Sequence, residues 1–218
     1  MISPLFNRRH FTLSAITLSA AGWGLPAASA AGPFKLLILG DSLSAEYGLA
    51  RGTGWVALLQ KQLALSHPGS VIVNASISGE TTSGGRSRLP ALLRQHRPTH
   101  VVIELGGNDA LRGLSLRMTG DNLKFLAESA RAAGAQVLLL GMQMPPNYGA
   151  ELAGQFAALY PAVARATGAA LVPFFLKGVG DDTEQPLRWF QADRIHPNEA
   201  AQPRLLANVW PELKKQLK

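Results

Sequence analysis

The 218-residue chain has no cysteine, which excludes a disulfide scaffold, a thiol nucleophile and a cysteine-ligated metal. Charged residues make up only 16% of it. There is no dense Lys/Arg run and no basic motif interleaved with aromatics, so nucleic acid is not an expected partner. No G-x-x-x-x-G-K-[ST] follows any apolar run, which removes a P-loop nucleotide site. An uninterrupted membrane-length run is missing too. The apolar stretch from about Phe11 to Leu25 is broken by Ser and Gly and closed by Pro26, too short for a good span. What remains is a chain with 47% apolar residues and 22 glycines, enough to bury one full core and to make many tight strand-to-helix turns.

The first 30 residues read as an export signal and not as part of the fold. Arg8 and Arg9 form a positive start, the apolar stretch follows, and Ala28-Ser29-Ala30 matches the A-x-A pattern of signal peptidase sites. Arg8-Arg9-His10-Phe11 also resembles a twin-arginine signal, although Asn7 replaces the usual Ser/Thr. The expected mature chain is one domain, residues 31–218, in the periplasm or secreted. Without its two signal arginines it keeps 19 basic and 14 acidic residues (21 − 2 = 19), a balance of +5. That excess fits an ordinary basic surface. It also fits weak contact with an anionic lipid surface or attraction to an acidic acyl carrier. No obligate protein partner is evident.

Five continuous apolar runs read as strands buried on both faces: Leu36–Leu39, Val71–Asn74, Val101–Leu105, Val137–Leu140 and Ala170–Val172. Helical patterns separate them near Gly54–Ser66, Arg86–His96, Thr119–Ala133 and Glu151–Thr167, with a last one from about Ala201 to Leu217. Gly134 and Gly168 stand where helix C-caps are expected. Strand and helix alternate throughout, which predicts a three-layer α/β/α sandwich on a five-stranded parallel sheet. Ligands of such sheets bind beyond the carboxyl ends of the strands. Attention therefore falls on residues 40–44, 75–79, 106–109 and 141–147.

Ser42, flanked by Gly40 and Asp41, is placed to expose a hydroxyl at the mouth of a site, its own N–H contributing to an oxyanion hole. A helix-capping serine would read the same way. Asp193-Arg194-Ile195-His196-Pro197 lies after the last strand. A serine nucleophile needs a base, and the base needs a carboxylate to fix its tautomer; His196 and Asp193, three apart, can supply both. Of the other histidines, His10 leaves with the signal, His67 and His96 lie at helix ends, and His100 begins a strand at the far end of the sheet. Gly79 can offer a backbone N–H to an oxyanion and Asn108 a side-chain amide, though each also serves as an ordinary turn residue.

Gly40-Asp41-Ser42-Leu43-Ser44, Gly79 within Asn-Ala-Ser-Ile-Ser-Gly, Gly107-Asn108-Asp109 and Asp193-x-x-His196 occur in this order. As a set they resemble the four blocks of the SGNH/GDSL hydrolases. Residues 37–44, 73–79, 88–95 and 104–109, with Leu111-Arg112-Gly113, are most similar to the bacterial periplasmic thioesterase I/lysophospholipase L1 (arylesterase) subgroup. The resemblance implies Ser42 as nucleophile, Asp193 and His196 as its partners, and an oxyanion hole of Ser42, Gly79 and Asn108. It also implies sheet order 2-1-3-4-5 and no metal or organic cofactor. Asp109 matches a family position and is assigned to support of the oxyanion loop. Glu46 stands where the subgroup usually has Gly, and Arg194 replaces a frequent Gly.

The implied reaction is hydrolysis of acyl esters or thioesters (lysophospholipid, acyl-CoA or aryl ester) through an acyl-enzyme on Ser42. Its rate is expected to rise through about pH 6–7 as a neutral imidazole becomes available. Asp109, Leu111, Leu114, Met144, Pro145 and Tyr148 form the expected substrate-binding set. Its apolar members read equally as a groove for an acyl chain or as packing against neighbouring helices. An acetyl esterase acting on carbohydrate or peptidoglycan would use the same groups, and a non-catalytic binding module would leave them idle.

Overall fold

The computed structural model describes Met1, residues 33–144, 148–185 and 187–217. The export segment and Pro145 lie outside the described residues. Five parallel strands, β1 (Lys35–Gly40), β2 (Val71–Asn74), β3 (His100–Glu104), β4 (Gln136–Leu140) and β5 (Ala170–Val172), form one sheet in the order β2-β1-β3-β4-β5. The register sets Leu36 beside Ile72 and His100, and His100 beside Gln136. β1, β3 and β4 are central, and Leu36 to Leu39, Val101, Val102 and Leu138 to Leu140 are wholly buried. That burial on both faces is why these segments read as continuous apolar runs. β2 lies at an edge and is partly exposed.

Helices α1 (Trp55–Ser66) and α6 (Gln202–Gln216) pack together in one layer. Helices α2 (Thr82–His96), α4 (Leu116–Ala132) and α5 (Ala150–Thr167) form the other. Each buries a stripe at helical spacing: Trp55, Leu59 and Leu63 on α1; Leu123, Leu126, Ala127 and Ala130 on α4; Leu205, Val209 and Leu213 on α6. Arg97, in the left-handed region at φ 46°, ends α2, and Gly168 at φ 68° ends α5.

Most element ends move by one to three residues from the sequence reading, and two differences are larger. α2 begins at Thr82, not Arg86, because the Thr-Ser-Gly-Gly start hides its helical character. Thr81 caps it through Gly84 N–H at 3.3 Å, and a Cβ on Gly85 would lie 2.5 Å from Leu105 Cδ1. Gly85 thus lets the helix approach the sheet. A short helix α3 (Gly107–Leu111) was not expected at all; five residues are too few for a periodic signal.

Candidate active site

The described strand-end loops converge at the carboxyl edge of the sheet. After β1 the backbone makes one tight turn, with Ser44 and Ala45 N–H both bonded to the Asp41 carbonyl at 3.2 and 3.0 Å. Asp41 Oδ1 accepts Leu43 N–H at 3.0 Å. The next helix begins only at Trp55, so the capping alternative for Ser42 is corrected: Asp41 holds the turn and the Ser42 hydroxyl is left for other work. Below it, Ser44 Oγ donates to Glu104 Oε2 at 2.8 Å and accepts Trp55 Nε1–H at 3.1 Å.

The C-terminal loop reaches the same place. Phe190 bridges Pro197, Gln191 N–H bonds the His196 carbonyl at 2.8 Å, and Asn198 N–H bonds that of Trp189 at 2.8 Å. Gln202 accepts Trp55 N–H at 3.0 Å and donates to the Pro197 and Asn198 carbonyls, fastening this loop to α1. Gln191 Nε2 donates to the Tyr47 carbonyl at 2.8 Å. Two segments some 150 positions apart are thereby held in register.

His196 Nε2 lies 2.9 Å from Ser42 Oγ, and His196 Nδ1 lies 2.6 Å from Asp193 Oδ2. With the proton on Nδ1, the imidazole donates to Asp193 and accepts from Ser42, as base-assisted attack by a hydroxyl requires. Asp193 Oδ1 also accepts Ile195 and His196 N–H, at 2.9 and 3.0 Å. The backbone N–H groups of His196 and Ile195 hold the Asp193 carboxyl down at about 2, so it stays ionised wherever the imidazole can act. Tyr47 covers the His196 ring, their centroids 4.4 Å apart and tilted by 39°.

Backbone N–H groups of Ser42 and Gly79 have no partner among the described residues. Gly79 adopts φ 78°, and Arg112 donates to its carbonyl, which belongs to the next peptide unit, at 2.9 Å. The Asn108 amide is committed on both hydrogens, to Asp41 Oδ2 at 2.9 Å and to the Glu80 carbonyl at 3.0 Å.

Residues 38–203 match the GDSL-like Lipase/Acylhydrolase family. The chain belongs to that family. It is 56% identical to Esterase TesA of Pseudomonas aeruginosa over 82% of this chain and 87% of that one. To Thioesterase 1/protease 1/lysophospholipase L1 of Escherichia coli it is 43% identical over 80% of each. The psychrotrophic esterase EstA of Pseudoalteromonas sp., in a structure inhibited by monoethylphosphonate, superposes with a TM-score of 0.77. That match is at 41% identity, over 84% of this chain and 98% of that one. The five-stranded order 2-1-3-4-5 is the fold of these relatives.

Within this acylhydrolase frame the expected substrate-binding set divides. Leu111 and Tyr148 are exposed and Leu114 is half-buried. Met144, at 8% exposure, packs in the core. Asp109, at 2% exposure, accepts Thr82 N–H at 2.9 Å, Thr82 Oγ–H at 2.5 Å and Thr119 Oγ–H at 3.3 Å. It ties α2, α3 and α4 together and has no surface for a substrate, which corrects its place in that set and suits its supporting role. A shallow hollow of about 450 Å³ at the start of α5, lined by Tyr148, Leu152 and Gln155 among others, includes none of Ser42, Gly79, Asn108, Asp193 and His196. Glu46 and Arg194, the two departures from glycine, both adopt φ 59°, the left-handed backbone that favours glycine. The sequence reading missed Asp41, Glu104 and Tyr47 as parts of the site. Asp41 lay within the first block without a role, and Glu104 left a signal of its own, an acid inside an otherwise apolar strand.

Proposed function

We propose that this acylhydrolase cleaves acyl esters and thioesters through an acyl-enzyme on Ser42, with His196 as general base and Asp193 as its orienting carboxylate. The observation that carries this reading is the 2.9 Å contact between Ser42 Oγ and His196 Nε2. As Ser42 Oγ attacks the carbonyl carbon, its proton passes to Nε2 and the imidazolium that forms is stabilised by Asp193. Charge then develops on the former carbonyl oxygen, where the unpartnered N–H groups of Ser42 and Gly79 can receive it. Asn108 Nδ2 joins them by exchanging the Glu80 carbonyl for the oxyanion while keeping its bond to Asp41. His196 next gives the proton to the leaving alcohol or thiol, and water repeats the sequence in reverse to free the acid.

Long apolar acyl groups suit the rim of the site. Tyr47, Ile77, Leu111, Tyr148, Leu187 and Ile195 are all exposed and belong to strand-end loops on the Ser42 side of the sheet. Apolar residues scattered singly over a surface need no ligand, whereas a patch of them gathered at one place marks a ligand-binding groove. The names of the relatives, an esterase and a thioesterase/lysophospholipase, support both leaving-group classes. For the mature enzyme we propose residues 31–218, exported and cleaved after Ala30, a processing step that N-terminal sequencing of the exported protein would test.

The functional test is a panel of lysophospholipids, acyl-CoAs and aryl esters, run beside a fluorophosphonate label. Ser42→Ala should abolish labelling and lower kcat by about 10⁴-fold or more. Labelling that persists in Ser42→Ala, or kcat/KM independent of acyl chain length, would refute the nucleophile or the rim respectively.

A further inference from the structure

Beneath the turn carrying Ser42 lie two carboxyl groups, one that the acyl-transfer steps use only as a partner of Asn108 and one that they do not use at all. Asp41 directly follows β1 and Glu104 ends β3, in a register that pairs Gly40 with Glu104. Asp41 is 3% exposed and Glu104 0%. A Cβ on Gly40 would stand 2.8 Å from Glu104 Oε2, so the glycine lets the acid sit directly under the turn. Glu104 Oε2 accepts Ser44 Oγ–H at 2.8 Å and Asp41 N–H at 3.2 Å. Its other oxygen, Oε1, is buried and receives no hydrogen bond from the described residues.

A buried carboxylate with one oxygen starved of donors is costly, whereas a carboxylic acid there needs only an acceptor. Asp41 is placed to be that acceptor: its backbone N–H already bonds Glu104 Oε2 at 3.2 Å, and its carboxyl is buried beside the same turn. Two carboxyl groups can bond to each other only through a proton. The charge belongs on Asp41, whose Oδ1 takes Leu43 N–H at 3.0 Å and whose Oδ2 takes the Asn108 amide at 2.9 Å. No Lys or Arg pairs with either acid among the described residues. The other ionisable groups near the pair are Tyr160 of α5, which donates to the Leu105 carbonyl at 3.0 Å, Asp109 of α3, and His196. Only His196 could oppose negative charge.

We propose that Glu104 is a positioning residue: it stays protonated during turnover and donates to Asp41, fixing Asp41 as the ionised acceptor that aims the Asn108 amide at the oxyanion. Burial drives the Glu104 carboxyl well above its ordinary range, and the charge of Asp41 drives it further. Burial also raises Asp41, to about 6, although the Leu43 N–H, the Glu104 hydrogen bond and His196 pull it back. The role rests on Asn108 as an oxyanion donor; the state of the proton does not.

The experiment compares Glu104→Gln, Glu104→Leu and Asp41→Asn by steady-state kinetics across pH, and by infrared spectroscopy near neutral pH. Glutamine copies the protonated acid, donating and accepting at the same places. Its kcat should stay within about threefold of the parent, at an unchanged KM and with an unmoved acid limb of the pH profile. Leucine offers no hydrogen bond and should lower kcat about 10- to 100-fold at nearly constant KM, as a misaimed oxyanion donor does. The parent should show the C=O stretch of a buried carboxylic acid, and Glu104→Gln should lose it. An acid limb displaced by about one unit in Glu104→Gln would mean that Glu104 is ionised, and would overturn the proposal. So would an acid band that survives Glu104→Gln and vanishes in Asp41→Asn. If Glu104→Leu does not fold, the glutamine profile and the infrared band still decide. Full kcat in Asn108→Ala would sink the oxyanion reading, and the positioning role with it, wherever the band places the proton.

Discussion

Glu46 holds a backbone position built for glycine, and its side chain compensates. At φ 59° a residue with a Cβ is strained by about 1–2 kcal/mol relative to glycine. Against that, Glu46 Oε1 accepts Gly52 N–H at 3.0 Å and Gly54 N–H at 2.8 Å, with Oε2 sharing the first at 3.1 Å. Gly54 is the N-cap residue of α1 and has no side chain of its own to cap with, so this carboxylate also faces the positive end of a helix. Two charge-assisted bonds at a half-buried position are worth about 2 kcal/mol together, after allowing for solvent. Glu46→Ala loses the bonds and keeps the strain, so about 2 kcal/mol should go. Glu46→Gly loses the bonds and sheds the strain, so the loss should be no more than about 1 kcal/mol. In a domain of this size 1 kcal/mol is about 2–4 °C of Tm. Calorimetry should therefore give the order parent, then glycine, then alanine, with steps of about 3 °C. Tyr47, the next residue, lies over His196, so a loosened loop should also lower kcat/KM a few-fold in both variants. An alanine variant as stable as the glycine one, or a parent no more stable than either, would refute the compensation.

Asn108→Ala should reduce kcat by about 10²–10³-fold with little change in KM, measured on an aryl ester; equal losses from kcat and binding would contradict an oxyanion role. Asp193→Asn should cost about 10³–10⁴-fold in kcat near neutrality, because the amide no longer selects the Nδ1–H tautomer. Asp193 is held at about 2, so its stabilising effect is complete above the unfolded value near 4 and fades only below it. Between pH 5 and 8 its ionisation should therefore leave Tm unchanged. His100 differs in sign and window. Burial lowers its pKa, while its Nε2 faces the Gln216 carbonyl at 3.2 Å and its Nδ1 faces Thr99 Oγ at 2.8 Å. The unfolded chain binds this proton more readily, so stability is full above about pH 6.5 and falls as pH drops below it. The Tm difference between pH 7.5 and 5 should shrink in His100→Gln, and an unchanged difference would exonerate His100.

Local pattern was enough to determine the layers. Strands such as Leu36–Leu39 are apolar at every position because both faces of a central parallel strand are covered, and that is visible residue by residue. The stripe of α4 and the glycine ending α5 were legible for the same reason: periodicity and capping are short-range properties. Ser42, Gly79, Asn108 and the Asp193–His196 pair were legible as types at strand ends, and the resemblance to the GDSL hydrolases assigned them roles that composition could not. What tertiary structure alone decided was which atoms meet. That Met144 is buried and Tyr148 exposed was settled only by packing, since both read simply as apolar. Asp109 lies in a motif beside Asn108, yet only packing turns its carboxylate inward to Thr82 and Thr119. Glu104 is one acid in an apolar strand, and its meeting with Asp41 follows from the pairing of β1 with β3, whose sequences lie more than 60 positions apart. Charge and hydrogen bonding at such a pair are set by the distance between side chains and by the water excluded around them. Neither quantity exists until the chain has folded.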